Sequence, residues 1–94
     1  MAETQVMRGV RVRYWAAAKA AAGVREDFLD TDEPIRLSQV RALAVALHPD
    51  GRLEKVLTVC SALVADRPVG SADPDEVLVA PGETVEFLPP FAGG

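Results

Sequence analysis

A single amphipathic helix dominates the middle of this sequence and limits the folds open to it. Apolar residues recur at the helical spacing i, i+3, i+4 and i+7, at Val40, Leu43, Ala44 and Leu47. Ser38 precedes them as a good N-cap residue, and Pro49 disfavours helical geometry in the residue before it. We therefore predict a helix that begins near Ser38, ends near Leu47 or His48, and buries this apolar stripe.

Two strands and a short helix are predicted before this main helix. Residues 10–15 alternate apolar and charged side chains, which indicates a strand whose covered face carries Val10, Val12 and Tyr14. Residues 16–22 are almost all alanine, the best helix former, and Gly23 follows them at a plausible C′ position. Residues 24–29 then form a second strand, which is able to pair with the first.

Short apolar segments follow the main helix. Leu53, Val56 and Leu57 suit a short helical piece, and residues 59–65 are typical of a strand covered on both faces. Residues 76–79 and 83–88 suit two further short strands, with turn residues between them. The economical arrangement is an α+β fold in which one main helix packs across a small mixed sheet.

Composition excludes several classes of protein. The 94 residues suit one domain, and 49 % of them are hydrophobic, which is enough for a packed core. The net charge of −4 comes without a basic stripe, which argues against nucleic-acid binding. The hydrophobic stretches are too short to span a bilayer, and residues 1–5 do not resemble a signal peptide. A cytoplasmic location is the default expectation.

No internal catalytic set is apparent in the sequence. The sole histidine, His48, lies at a helix end, and the sole cysteine, Cys60, lies in an apolar segment that suits the core. Tyr14 and Trp15 are interpreted as packing groups. The acidic residues of the 30–33 loop suit a solvated surface better than a metal site, and no phosphate-binding loop is present.

The last eight residues, 87–94, carry the strongest chemical signal. Pro89 and Pro90 lack amide donors and fix φ, so they end the last strand and direct the chain away from the body. Gly93 and Gly94 have no Cβ, so their backbone is able to pass through a narrow channel. With Gly94 as the natural terminus, its α-carboxylate is accessible to the active site of another protein.

Residues 83–94 resemble the C-terminal signature of the MoaD-type sulfur carriers, the small subunits of molybdopterin synthase, within the MoaD/ThiS group of the ubiquitin-like superfamily. Residues 10–16, the main helix and residues 60–66 are similar to the family's pattern, so that the resemblance covers about residues 8–94. It implies a β-grasp, ubiquitin-like fold with a protruding tail. The expected organisation is a disordered N-terminus over 1–7, a domain over 8–90 and a flexible tail over 91–94.

The resemblance also implies a function that depends on partners. An E1-like enzyme would use ATP to adenylate Gly94 and convert it to a thiocarboxylate, with Gly93 as the residue that threads into the partner's site. The tail would then enter the large subunit of a heterotetrameric synthase, where sulfur passes to cyclic pyranopterin monophosphate. The chain would be a non-catalytic sulfur donor with no permanently bound cofactor and no metal. Phe87, Leu88 and Phe91 are the expected partner contacts.

Three alternatives remain open from the sequence. Related carriers of the same fold supply sulfur for cysteine or thiamine biosynthesis, or for tRNA thiolation. A ubiquitin-like modifier would instead join Gly94 to a lysine of another protein. A plain binding module would recruit partners through an exposed strand edge, and its terminus would be incidental.

Overall fold

The computed structural model describes residues 8–90 as a mixed sheet with helices packed against one face. The strands are Gly9–Tyr14 (β1), Glu26–Asp30 (β2), Ile35–Arg36 (β3), Ser61–Val64 (β4), Arg67–Pro68 (β5), Leu78–Val79 (β6) and Thr84–Leu88 (β7). The helices are Ala16–Ala22 (α1), Leu37–Leu47 (α2) and Arg52–Leu57 (α3). The predicted disordered N-terminus over 1–7 and the predicted tail over 91–94 lie outside the described residues.

The main sheet has the strand order β2-β1-β7-β4-β5. Its central pair, β1 and β7, is parallel, and the pairs β1–β2, β4–β7 and β4–β5 are antiparallel. The short strands β3 and β6 form a separate antiparallel pair. The last strand therefore lies in the centre of the sheet, and the predicted α+β class with a small mixed sheet is confirmed.

One apolar core lies between the sheet and the helices. The predicted covered face of β1 is confirmed, because Val10, Val12 and Tyr14 are buried. The helices contribute the remaining wall through Ala18, Ala22, Leu37, Val40, Ala44, Leu53 and Leu57. Each large apolar side chain buried here contributes about 1.5–3 kcal/mol. Within residues 8–90, none of the helices has the length and apolarity needed to cross a membrane.

Helix α1 ends as the sequence predicts. Gly23 has φ 78°, in the left-handed region that glycine enters without steric cost. Its amide N–H donates a hydrogen bond of 2.9 Å to the carbonyl of Lys19, which satisfies one of the last free carbonyls of the helix.

Helix α2 ends where the sequence predicts, but its buried face is rotated from the predicted stripe. Leu37, Val40 and Ala44 are buried, whereas Leu43 and Leu47 are 47 % and 51 % exposed. On a helical wheel the three buried residues span about 60°, and Leu43 lies about 60° beyond that arc. Leu47 is the last residue of the helix. The prediction that Leu43 and Leu47 face the core is therefore wrong.

The start of α2 also differs from the prediction. Arg36 occupies the N-cap position, and Ser38 is the second residue of the helix. The N–H groups of Leu37 and Ser38 donate to the carbonyls of Val77 and Pro74, at 2.8 and 3.2 Å. The loop before β6 thus supplies the acceptors that a capping side chain would otherwise provide, so the helix begins earlier than predicted.

The segment predicted as a doubly covered strand over 59–65 is shorter and more exposed. Strand β4 begins at Ser61, which is exposed, and Leu63 is only half-buried because it lies on the open face of the sheet. Cys60 precedes the strand and packs against the core. Residues 67–68 form the edge strand β5, which pairs with Leu63 and Val64.

Candidate functional site at the exit of the last strand

The end of β7 is enclosed by its two neighbouring strands. On one side the amide of Trp15, the residue after β1, donates to the carbonyl of Phe87 at 3.2 Å. On the other side Ser61, the first residue of β4, is paired with Leu88. The chain therefore leaves the sheet between β1 and β4 and continues into Pro89 and Pro90.

An apolar groove lies at this exit, and we call it the exit groove. It is an open cavity of about 730 Å³ lined by Trp15, Ala16, Ala17, Ser61, Leu63, Leu88, Pro89 and Pro90. Pro89 is half-buried and Pro90 is exposed, so the chain emerges along the groove. An apolar surface beside a chain exit is suited to contact a protein that receives the tail.

Of the five predicted site residues, one lines the exit groove, one is buried in the core and three lie outside the described residues. Leu88 lines the exit groove, as a partner contact would. Phe87 has no exposed surface, because alternation along β7 turns its ring into the core, so its predicted role as a partner contact is wrong for the fold described here. Phe91, Gly93 and Gly94 lie outside the described residues, and their predicted roles stay predictions.

Trp15 was interpreted as a packing group, but its side chain is 42 % exposed. Its indole Nε1–H donates to Oε1 of Glu86 at 2.9 Å, and the guanidinium carbon of Arg13 lies 5.1 Å from the ring centroid. The alternation of β1 carried this signal: a strand that buries Val12 and Tyr14 turns Arg13 and Trp15 to the opposite face.

The other candidate residues do not form a second reactive centre. Burial raises the pKa of the Cys60 thiol, which disfavours the nucleophilic thiolate. His48 contacts Asp27, a partner that sequence patterns do not reveal because the two residues lie 21 positions apart. Within residues 8–90 no group of three or more His, Cys, Asp or Glu side chains is arranged to hold a metal ion.

No family model matches the chain. A molybdopterin synthase sulfur carrier subunit from Aspergillus niger is 30 % identical over 84 residues, which cover 89 % of this chain and 92 % of the relative. Among solved structures, the complex of subunits 1 and 2 of the molybdopterin-converting factor from Helicobacter pylori contains a chain that matches with TM-score 0.60 and 25 % identity. This match covers 90 % of the present chain and 97 % of that one.

A third similar protein is the small archaeal modifier protein 1 of Methanosarcina acetivorans, whose solution structure matches with TM-score 0.74 and 20 % identity. The match covers 96 % of this chain and the whole of that one. At this identity the likeness shows the fold alone. Together with the sheet order and the packing of α2, these matches confirm the predicted β-grasp, ubiquitin-like fold.

Proposed function

The chain belongs to the family of molybdopterin synthase sulfur carrier subunits, and we propose that it carries sulfur as a thiocarboxylate on Gly94. The observation that carries the proposal is the match to the fungal carrier subunit over 89 % of the chain. The course of the last strand supports it, because β7 lies in the centre of the sheet and leads through Pro89 and Pro90 toward Gly93 and Gly94.

The chemistry at Gly94 follows from the properties of a carboxylate. The group is an anion at neutral pH and a poor electrophile. Attack of one carboxylate oxygen on the α-phosphate of ATP releases pyrophosphate and gives an acyl adenylate. A sulfide nucleophile then displaces AMP and leaves a thiocarboxylate. Because the sequence contains no phosphate-binding loop, an E1-like partner must supply the ATP site.

The large subunit of molybdopterin synthase is the proposed acceptor of the loaded tail. The similar chain from Helicobacter pylori was solved as a complex of two subunits. In the present chain the exit groove offers an apolar contact surface beside the emerging strand. We propose that the large subunit covers this groove in a heterotetramer, that Gly93 threads into its active site, and that sulfur passes there to the pterin precursor.

Intact-mass spectrometry tests the proposal directly. A first measurement establishes that the mature protein ends at Gly94. Incubation with the cognate activating enzyme, ATP and a sulfide source is expected to raise the mass by the difference between a sulfur and an oxygen atom. Addition of the large subunit and the pterin precursor is expected to remove that sulfur and to form a dithiolene product.

Two variants control this experiment. Deletion of Gly94 is expected to abolish sulfur uptake and leave the melting temperature unchanged, because the last strand ends at Leu88 and the last core residue along the chain is Phe87. Asp75→Ala, in an exposed loop, is expected to load as the wild type does. Sulfur uptake by the chain that lacks Gly94 would contradict the proposal.

Protein modification is the second candidate function. The archaeal protein whose fold matches with TM-score 0.74 is named as a modifier, so this fold is compatible with that role. A modifier would give a series of larger conjugates through lysine, whereas a carrier gives one loaded species. The same mass measurement in a cell lysate therefore separates the two. Carriers for cysteine or thiamine biosynthesis would load in the same way but would not bind the large subunit.

A further inference from the structure

A second depression lies beside α1 and borders the exit groove at Trp15. This depression is an open cavity of about 540 Å³, and its lining consists of Trp15, Ala16, Lys19, Ala20, Gly23, Val24 and Arg25. We call it the basic shelf. Trp15 and Ala16 line both features, so the shelf continues the apolar surface at the exit of the last strand.

The indole that joins the two depressions is held in place. Glu86 accepts the hydrogen bond of its Nε1–H, and Arg13 stacks on its ring. The next residue, Ala16, has φ 50°, a left-handed conformation that costs an alanine about 1–2 kcal/mol. Backbone strain of this kind collects at functional sites. An exposed aromatic ring with fixed neighbours loses little conformational entropy on binding.

The basic shelf carries two positive charges and no carboxylate in its lining. Lys19 and Arg25 are both exposed, and neither forms a salt bridge with a carboxylate of residues 8–90. By contrast, Arg11 and Arg13 are both paired with Glu26. Other exposed cations of residues 8–90 also lack salt bridges within that range, but Lys19 and Arg25 line one depression together with the apolar side chains of Trp15 and Val24.

We propose that the basic shelf binds a carboxylate-bearing segment of the large subunit, whose neighbouring apolar side chains contact Trp15 and enter the exit groove. This inference rests on the proposed function, because the large subunit is the proposed occupant of that groove. Charge complementarity specifies the segment: one or two Asp or Glu residues opposite Lys19 and Arg25, next to an apolar residue over Trp15. The shelf would fix the orientation of the large subunit while the tail enters its active site.

Charge reversal with a matched control tests this inference. The double variant Lys19→Glu with Arg25→Glu is compared with Lys55→Glu with Arg36→Glu, which changes the net charge equally at exposed positions outside both depressions. Affinity for the cognate large subunit is measured by calorimetry at low and high salt. The shelf variant is expected to bind at least about tenfold more weakly at low salt and to regain affinity at high salt, which screens the repulsion, and the control to stay within about twofold of the wild type.

Sulfur loading by the activating enzyme is measured in parallel and separates the two possible failures. Normal loading and normal large-subunit affinity in the shelf variant would overturn the proposed role of the basic shelf and leave the proposed function standing. Failure of the wild-type chain both to load and to bind the large subunit would overturn both. Melting curves check the fold, and Lys19→Gln with Arg25→Gln, expected to show a smaller loss of affinity, replaces the charge reversal where that variant does not fold.

Discussion

The imidazole Nε2 of His48 lies 2.6 Å from Oδ2 of Asp27, and this contact joins the end of α2 to strand β2. The hydroxyl of Tyr14 donates to the same carboxylate oxygen at 2.8 Å, which adds strand β1 to the cluster. The rings of Tyr14 and His48 meet edge to face, with their centroids 6.0 Å apart. One carboxylate therefore connects three elements at the edge of the core.

Removal of this carboxylate is expected to destabilise the fold. Asp27→Ala leaves the hydroxyl of Tyr14 and the imidazole of His48 without their shared partner in a largely buried position, at a cost of about 1–3 kcal/mol. Asp30→Ala, on the exposed face of the same strand, is the control and should change stability by less than about 0.5 kcal/mol. Urea unfolding followed by circular dichroism measures both, and equal stabilities would contradict the role given to Asp27.

Alkaline pH is expected to weaken the same cluster through Tyr14. Burial raises the pKa of Tyr14 well above its ordinary value near 10, and the hydrogen bond and charge of Asp27 act in the same direction. The pKa is higher in the folded state than in the unfolded state, so this stabilisation is complete below pH 10 and is lost progressively above it. Tyr14 is the only tyrosine, so the ultraviolet band of tyrosinate reports on it alone.

The expected titration shows no tyrosinate in the folded chain at pH 10 and its appearance together with unfolding at higher pH. Tyr14→Phe should remove this part of the alkaline sensitivity. A folded chain that already contains half of its Tyr14 as tyrosinate near pH 10 would contradict the burial of the hydroxyl.

Two leucines of α2 provide a test of the observed helix orientation. Leu37→Ala removes a side chain that is 1 % exposed and should cost about 2–5 kcal/mol, since it leaves a cavity in the core. Leu43→Ala makes the same chemical change at a residue that is 47 % exposed and should change stability by less than about 0.5 kcal/mol. Thermal unfolding of the two variants measures the difference. A larger loss of stability in Leu43→Ala than in Leu37→Ala would support the helix orientation predicted from the sequence.

The difference between these leucines shows where the sequence pattern was sufficient and where it was not. Alternation in β1 predicted the burial of Val10, Val12 and Tyr14, because a strand presents only two faces and the choice between them is clear. The apolar residues of α2 cover a wider arc than the core accepts, so periodicity predicted the helix but not its rotation. Its first turn is satisfied by the carbonyls of Pro74 and Val77, which are distant in sequence.

The candidate site was also predictable only in part. Pro89 and Pro90 indicated that the chain leaves the sheet there, and the family resemblance implied that the segment after them enters a partner protein. The exit groove required the sheet order, since Trp15 and Leu63 lie on opposite sides of β7 only because that strand pairs with both β1 and β4. The contact between His48 and Asp27 likewise depends on tertiary packing.

The turn between β4 and β5 is expected to accept a stabilising substitution. Ala65 and Asp66 both have positive φ, 51° and 67°, in a two-residue connection between the paired residues Val64 and Arg67. This is the geometry of a type I′ turn, which Asn-Gly adopts with less strain. Ala65→Asn with Asp66→Gly should therefore stabilise the chain by about 1 kcal/mol.

A glycine introduced elsewhere controls for a general effect of the substitution. Asp32→Gly, in an exposed loop at a residue without positive φ, should leave stability unchanged or lower it. Chemical unfolding compares the two variants. A loss of stability in the Asn-Gly variant would show that the turn does not require the left-handed geometry.

Substitutions at two adjacent residues of β7 distinguish effects on stability from effects on partner binding. Phe87→Ala should cost about 3–5 kcal/mol, because the ring has no exposed surface and contributes to the core. Leu88→Ala, on the opposite face, should have a small effect on stability but weaken binding of the large subunit, because Leu88 lines the exit groove beside Trp15. Melting temperature and large-subunit affinity are measured for both variants. A Leu88→Ala chain with normal stability and normal affinity would exclude the exit groove as the docking surface, while sulfur loading of Gly94 would remain open to its own test.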